Sequence, residues 1–177
     1  PKSVTPTPSP STVTIALKDI GDSYVDASQR NSTAGGPSHT LIADGSPYRV
    51  AFLRFNLASL AGKTITSAAL RIHTSNDVGA GSNASFDIMY VVNNSWNGAT
   101  MSMNNSVPIS TTRLGTLVSP SQDGTWYQAS LTPGGVQVGA GGQLSVAIKN
   151  STNGDGVIFY AKEGDSAVTP QLVLTYR

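Results

Sequence analysis

The sequence predicts an all-β protein, a jelly-roll β-sandwich of antiparallel strands, and three observations carry that expectation. From Val13 onward, short apolar or alternating runs are separated by clusters of Gly, Pro, Asn and Asp, the punctuation of a meander of strands. No segment rich in Ala, Leu, Glu and Lys keeps a helical period, so nothing is available to build the crossovers of a parallel sheet. Charged residues make up only 12% of the 177 residues, and Gly, Ser, Thr and Asn are abundant, a balance typical of exported β-modules.

Strands are predicted at 13–18, 22–26, 40–43, 49–57, 67–75, 85–93, 113–118, 125–131, 143–149, 156–162 and 171–176. Val50-Ala51-Phe52-Leu53-Arg54-Phe55-Asn56-Leu57 is the most apolar run, which suits a strand buried on both faces. Arg54 interrupts it, and a guanidinium there needs a partner, since an isolated buried charge costs several kcal/mol. Ala68, Leu70 and Ile72 alternate with Arg71 and His73, so the latter pair points outward. By the same rule Leu144, Val146 and Ile148 face inward with Lys149 outward, and Leu172, Leu174 and Tyr176 belong to the core. Trp96 and Trp126 are expected in the core. The polar segments Asp26 to Pro37, Asn76 to Asn83 and Asn150 to Gly156 are turn and loop chemistry.

The length allows one domain with a substantial core, placed at 13–177. Residues 1–12 alternate proline with Ser and Thr, a composition that favours extended polyproline geometry and reads as a linker to a larger chain. There is no cysteine, hence no disulfide framework, and none is needed at this size. No apolar run approaches the roughly 18 residues of a membrane-spanning helix, and no signal peptide opens the sequence; an export signal would lie upstream. The net charge is +1 and the 11 Lys and Arg are scattered, which argues against nucleic acid as a partner.

Catalysis finds little support. Glycoside hydrolysis needs a pair of carboxylates of different pKa, yet Glu163 is the lone glutamate and most aspartates sit in turns such as Asp44-Gly45, Asp123-Gly124 and Asp155-Gly156. His39 and His73 lie in no local catalytic pattern, and no nucleophile elbow, phosphate loop or Cys/His metal spacing appears.

Several stretches resemble, in order, the DNRLRE-type domain, classed as the family 96 carbohydrate-binding module. They are Gly21-Asp22-Ser23-Tyr24-Val25-Asp26, Phe52-Leu53-Arg54-Phe55-Asn56-Leu57, Ile65-Thr66-Ser67-Ala68-Ala69-Leu70-Arg71-Ile72, the segment Trp96 to Pro108, and Phe159-Tyr160-Ala161-Lys162-Glu163-Gly164 followed by Pro170-Gln171-Leu172. The resemblance implies a β-sandwich module of secreted surface proteins and polysaccharide-degrading enzymes, alginate lyases among them. Asn56 stands where the family usually has Asp, and Met103 replaces the aromatic of its Trp-Asn-Asn-like turn.

The function so implied is a non-catalytic polysaccharide-binding module at the cell surface or secreted, a monomeric unit of a larger chain, with an acidic glycan such as alginate as ligand. The alternative is a structural or adhesive spacer without a sugar site. Sugars are held by aromatic faces and multidentate polar groups, and uronates also by Arg or Lys. The outward positions Arg71, His73, Lys149, Tyr160 and Lys162 are therefore the candidate binding strip, with Tyr48 and Arg49 after the Gly45-Ser46-Pro47 turn as further surface candidates. Calcium is the ion that suits a chain rich in Asp, Asn and backbone oxygens, with Asp22, Asp26 and Asn31 as candidate ligands. For Arg54 the expected partner is Glu163, at the end of another apolar strand.

Overall fold

A computed structural model describes residues 11–150 and 154–177. The predicted linker falls almost wholly outside them, as does the centre of the predicted 150–156 turn.

Ten strands form among the described residues: β1 (Val13–Asp26), β2 (Thr40–Gly45), β3 (Tyr48–Asn56), β4 (Ile65–His73), β5 (Phe86–Val91), β6 (Arg113–Leu117), β7 (Trp126–Leu131), β8 (Gln143–Asn150), β9 (Val157–Tyr160) and β10 (Gln171–Tyr176). One five-residue helix, α1 (Pro133–Gln137), starts at a proline, whose missing N–H costs nothing in a first turn. All strand pairings are antiparallel, as predicted.

Eight strands close on themselves in the order β1-β10-β4-β7-β6-β5-β8-β3, because β3 pairs back to β1. Closure leaves this ring without a free edge, the surest protection against edge-to-edge association. The two predicted strands 13–18 and 22–26 are one bent strand. Its first half, to Lys18, pairs with β10, while Asp19 to Asp26 pairs with β3, the register slipping between Asp19 and Gly21. β1 thus passes from one wall of the ring to the other at Ile20. On the opposite side β6 meets β7 through one residue pair, Gly115 with Leu131. A Cβ on Gly115 would stand 2.3 Å from the Ser130 carbonyl oxygen, so glycine is required for this close approach. β2 and β9 pair outside the ring, from Thr40 with Tyr160 to Ala43 with Val157.

The interior is filled by alternate residues from every wall, including Leu53, Phe55, Leu70, Phe86, Ile88, Leu144, Val146, Leu172 and Leu174, joined by Leu41 and Phe159 from β2 and β9. Each such side chain contributes roughly 1.5–3 kcal/mol by leaving water. Tyr176 packs against this core from a half-buried position.

The predicted two-sided burial of β3 holds. Ala51, Leu53 and Phe55 face the interior, while Val50 and Phe52 face outward into a second cluster with Val25, Met89, Val91, Ala147, Trp96 and Met101. The long segment between β5 and β6 supplies Trp96 and Met101, with Met103, Val107 and Ile109 packed against them. This wall (β1 second half, β3, β8, β5) is therefore roofed over. The other wall (β1 first half, β10, β4, β7) contributes nothing to that outer cluster, and its outward residues Thr14, Ala16, Lys18, Ser67, Gln128 and Ser130 are exposed.

Candidate functional site

The open wall carries a polar row across four strands. Lys18 pairs with Gln171, Gln171 with Arg71, and Arg71 with Gln128, so four neighbouring strands each present one long polar side chain at the same level. Arg71 Nη1 donates to Gln171 Oε1 at 3.3 Å, and Lys18 Nζ donates to the Ser166 carbonyl oxygen at 2.6 Å. One step along, His73 pairs with Trp126.

Trp126 lies at the centre of a contiguous aromatic and cationic patch. The Arg71 guanidinium sits 4.6 Å from its ring centroid, a cation–π distance, and the His73 ring meets it edge-on at 5.2 Å. Tyr160 follows, its ring 5.8 Å from His73 and its hydroxyl accepting from the Asn76 N–H at 3.3 Å. His73 Nδ1 lies 2.7 Å from the Thr74 carbonyl oxygen and so must carry the proton there, which leaves Nε2 as an acceptor in the neutral ring. Trp126 is half-buried in this patch, not in the core as expected; only Trp96 is a core tryptophan, buried against Phe52 with its Nε1 donating to Ser145 Oγ at 3.0 Å.

Of the candidate binding residues, Arg71, His73 and Tyr160 come together here. The others go elsewhere. Lys149 lies on the roofed wall, opposite Val50 and Asp87. Arg49 is taken up by carboxylates, its Nε 2.7 Å from Asp26 Oδ2 and its Nη1 3.8 Å from Asp44 Oδ2. Tyr48, beside it after the cis Ser46–Pro47 bond, is exposed. Lys162 forms an ion pair with its neighbour Glu163. Lys18, Gln171 and Gln128 were not foreseen as site residues, and Trp126 was expected in the core in preference to the binding surface.

The three candidate metal ligands do not converge either. Asp26 accepts from the Ser28 N–H and hydroxyl at 2.7 and 2.6 Å as well as from Arg49. Asn31 Oδ1 accepts from Asn104 Nδ2 at 2.6 Å. Among the described residues no three His, Cys, Asp or Glu side chains form a ready-made metal centre.

Arg54 has no ion pair with Glu163, contrary to expectation. Its Nη1 donates to the carbonyl oxygens of Asn94 and Trp96 at 2.7 and 2.8 Å, and the guanidinium lies 4.7 Å from the Trp96 ring centroid. The roof segment, not another strand, supplies its partners. Arg54 and Glu163 nevertheless line one cavity of about 220 Å³ at the bend of β1, together with Gly21, Asp22, Asn97, Gly98 and Lys162. Beside it Asp22 is pushed up to about 8, by burial first and then by the Asp19 charge, with the Lys162 N–H pulling the other way. Asp19 is pushed up to about 6 by burial, opposed by a hydrogen bond with Asp22 and by the Lys162 charge.

The closed antiparallel β-domain thus has one wall roofed and the other carrying the aromatic and cationic strip of Arg71, Trp126, His73 and Tyr160. The chain belongs to carbohydrate-binding module family 96, whose sequence model matches residues 13–176. No curated protein matches the sequence. Among solved structures, similarity extends to a Streptococcus pneumoniae β-galactosidase, BgaA (13% identity, 89% of this chain and 97% of that one, TM-score 0.42). It extends also to the CBM22-1 and GH10 modules of Clostridium thermocellum xylanase 10B complexed with xylohexaose (6% identity, 89% of this chain and 27% of that one, TM-score 0.37). A third similar structure is the K3 cleaved adhesin domain of Lys-gingipain from Porphyromonas gingivalis (10% identity, 93% and 98%, TM-score 0.34). No helix among the described residues is long and apolar enough to cross a membrane.

Proposed function

We propose that the chain is a non-catalytic polysaccharide-binding module that holds an acidic glycan, alginate or a similar polyuronate, along the open wall of β1, β10, β4 and β7. The observation that carries this reading is the stacking of Arg71 on Trp126, flanked by His73 and Tyr160 and continued by Gln171 and Lys18. The tryptophan offers an apolar face to the C–H side of a sugar ring, and the guanidinium offers a fork to a uronate carboxylate. With strands roughly 4.8 Å apart, Lys18 and Arg71 stand about 10 Å from each other across β10, so the row spans a short oligosaccharide instead of one ring.

In this role the module acts as a monomeric part of a larger secreted or surface-attached chain, and its binding raises the local concentration of whatever it is joined to. Affinity electrophoresis through gels containing alginate, polygalacturonate or neutral β-glucan tests the reading. Retardation by the uronates that weakens as salt rises is expected, because exposed charges are screened over about 8 Å at physiological ionic strength. No retardation by any polymer, with or without calcium, would leave the structural spacer as the function, and polymer cleavage by the isolated chain would make it an enzyme.

A further inference from the structure

We propose that the cavity at the bend of β1 holds the terminal ring of a glycan, gripped through two neighbouring hydroxyls between Arg54 and Glu163. Arg54 uses Nη1 on the roof carbonyls, but its Nε is buried and meets no acceptor. Glu163 gives one carboxylate oxygen to Lys162, and the other, Oε2, is buried without a donor. Both residues line the cavity, yet they do not pair with each other. A guanidinium only donates and an ionised carboxylate only accepts, whereas buried polar atoms are almost always satisfied. The two side chains therefore call for a group between them that does both. A hydroxyl accepts and donates, and two on adjacent carbons can take Arg54 with one and Glu163 with the other.

The charges around the cavity favour a neutral ligand. Asp22 is already engaged: its Oδ2 accepts from the Lys162 N–H at 2.7 Å and its carboxyl hydrogen-bonds that of Asp19, which requires the pair to share a proton and carry one negative charge. Together with Glu163 that charge balances Arg54 and Lys162, so neither a cation nor an anion is drawn in. Size sets the rest. A cavity of about 150 Å³ takes a benzene ring, so the 220 Å³ here has room for one six-membered ring with its hydroxyls and not for a second. A sugar inside a polymer carries a neighbour on each side, whereas a terminal one has a free side to enter first. Ile20, Asn97 and Ala99 line the cavity and are exposed, so it communicates with solvent, and Ile20 offers apolar surface to the C–H side of the ring. None of Arg71, His73, Trp126 and Tyr160 lines it, and the site is independent of a polyuronate on the open wall.

Amide NMR of the whole chain, titrated to tens of millimolar with glucose, galactose and mannose, their methyl glycosides, and trisaccharides ending in the same rings, tests the site. Shifts are expected at Gly21, Arg54, Gly98 and Glu163 for at least one ring, both free and as a chain end, and they should change little with salt, because the contacts are with neutral hydroxyls. Glu163→Ala should weaken binding at least 10-fold by removing the acceptor, while Lys149→Gln, on the roofed wall, should leave it intact. No shift at these amides with any probe would overturn the proposal in favour of a cavity that holds water only, and needs no variant to fold. Shifts centred on Arg71, His73 and Trp126 would place the ring on the open wall and overturn it equally. So would a response that survives Glu163→Ala, or a free ring that binds where the matching trisaccharide does not. None of these results touches the retardation of uronate polymers, which reads the open wall.

Discussion

Arg54 rests on Trp96 twice, donating from Nη1 to its carbonyl oxygen at 2.8 Å while the guanidinium lies 4.7 Å from its ring centroid. A strand residue thereby fixes both the backbone and the side chain of the segment that roofs the wall of β3 and β8. The same nitrogen holds Asn94 O at 2.7 Å, so two roof carbonyls depend on one charge. A Cβ on Gly21 would come within 2.9 Å of Arg54 Nη2, so the guanidinium lies directly against the neighbouring strand at this glycine. Hydrogen bonds to a charged group contribute about 1.5–3 kcal/mol each, so Arg54→Ala is expected to cost roughly 3 kcal/mol or more. Arg54→Lys should recover only part of it, having no planar fork. Urea denaturation of the two variants beside the wild type measures both numbers.

Glu163 makes the opposite case. Had it been the partner of Arg54, its loss would have stranded a buried guanidinium at about 3 kcal/mol or more. Its ion pair is instead with Lys162, and the two side chains are 26% and 32% exposed. Pairs at that exposure contribute about 0–1 kcal/mol, so Glu163→Gln should shift the unfolding free energy by less than about 1 kcal/mol. A loss of several kcal/mol in the same urea experiment would restore the Arg54 pairing.

Much of the fold was legible because burial in a sheet has a period of two. Outward Arg71 and His73 and inward Leu144, Val146 and Ile148 follow from side-chain alternation, the double burial of β3 follows from its unbroken apolar run, and the structure agrees. Trp126 was misplaced although the signal existed: Ala129 and Leu131 are core residues on β7, so the even positions Trp126 and Gln128 must face out. Lys18 was missed for a different reason. Its alternation with Leu17 was readable, but only the register of β1, β10 and β4 places it in a row with Arg71. Asp19 looked like part of a turn between two strands, because a strand that bends through a register slip has no sequence mark distinct from a break. The partners of Arg54 are backbone carbonyls of an irregular segment, which no residue type announces.

Asp26 links pH to stability. Burial alone would raise its pKa, but hydrogen bonds from the Ser28 side chain, Arg49 and the Ser28 N–H, with the Arg49 charge, outweigh burial and hold it below the ordinary 3.8. A carboxyl depressed on folding stabilises the native state above its unfolded pKa, and this contribution is lost as pH falls through the folded value. The wild-type chain should therefore lose stability below about pH 4 more steeply than Asp26→Asn, whose own cost at pH 7 is expected to be about 1–2 kcal/mol from the lost charge-assisted bonds. Thermal unfolding from pH 2 to pH 7 compares the two slopes, and parallel curves would exclude Asp26 as the source.

The two walls of the ring make opposite predictions for two lysines. Lys18 stands on the open wall in the row with Gln171 and Arg71, while Lys149 stands on the roofed wall opposite Asp87. If the polymer lies along the open wall, Trp126→Ala removes the apolar platform and releases Arg71 from its stacked position, so uronate affinity should fall at least 10-fold, about 1.4 kcal/mol. Arg71→Gln should weaken binding comparably and also reduce its salt dependence, Lys18 being left as the cation of the row. Lys18→Gln should act in the same direction with a smaller effect, its ammonium being exposed and shared with the Ser166 carbonyl. Lys149→Gln should leave affinity unchanged within a factor of about two, the ±0.5 kcal/mol range of a neutral surface substitution. Affinity electrophoresis of the four variants in alginate gels at low and high salt decides between the walls, and loss of binding on Lys149→Gln with Trp126→Ala silent would move the glycan to the roofed side.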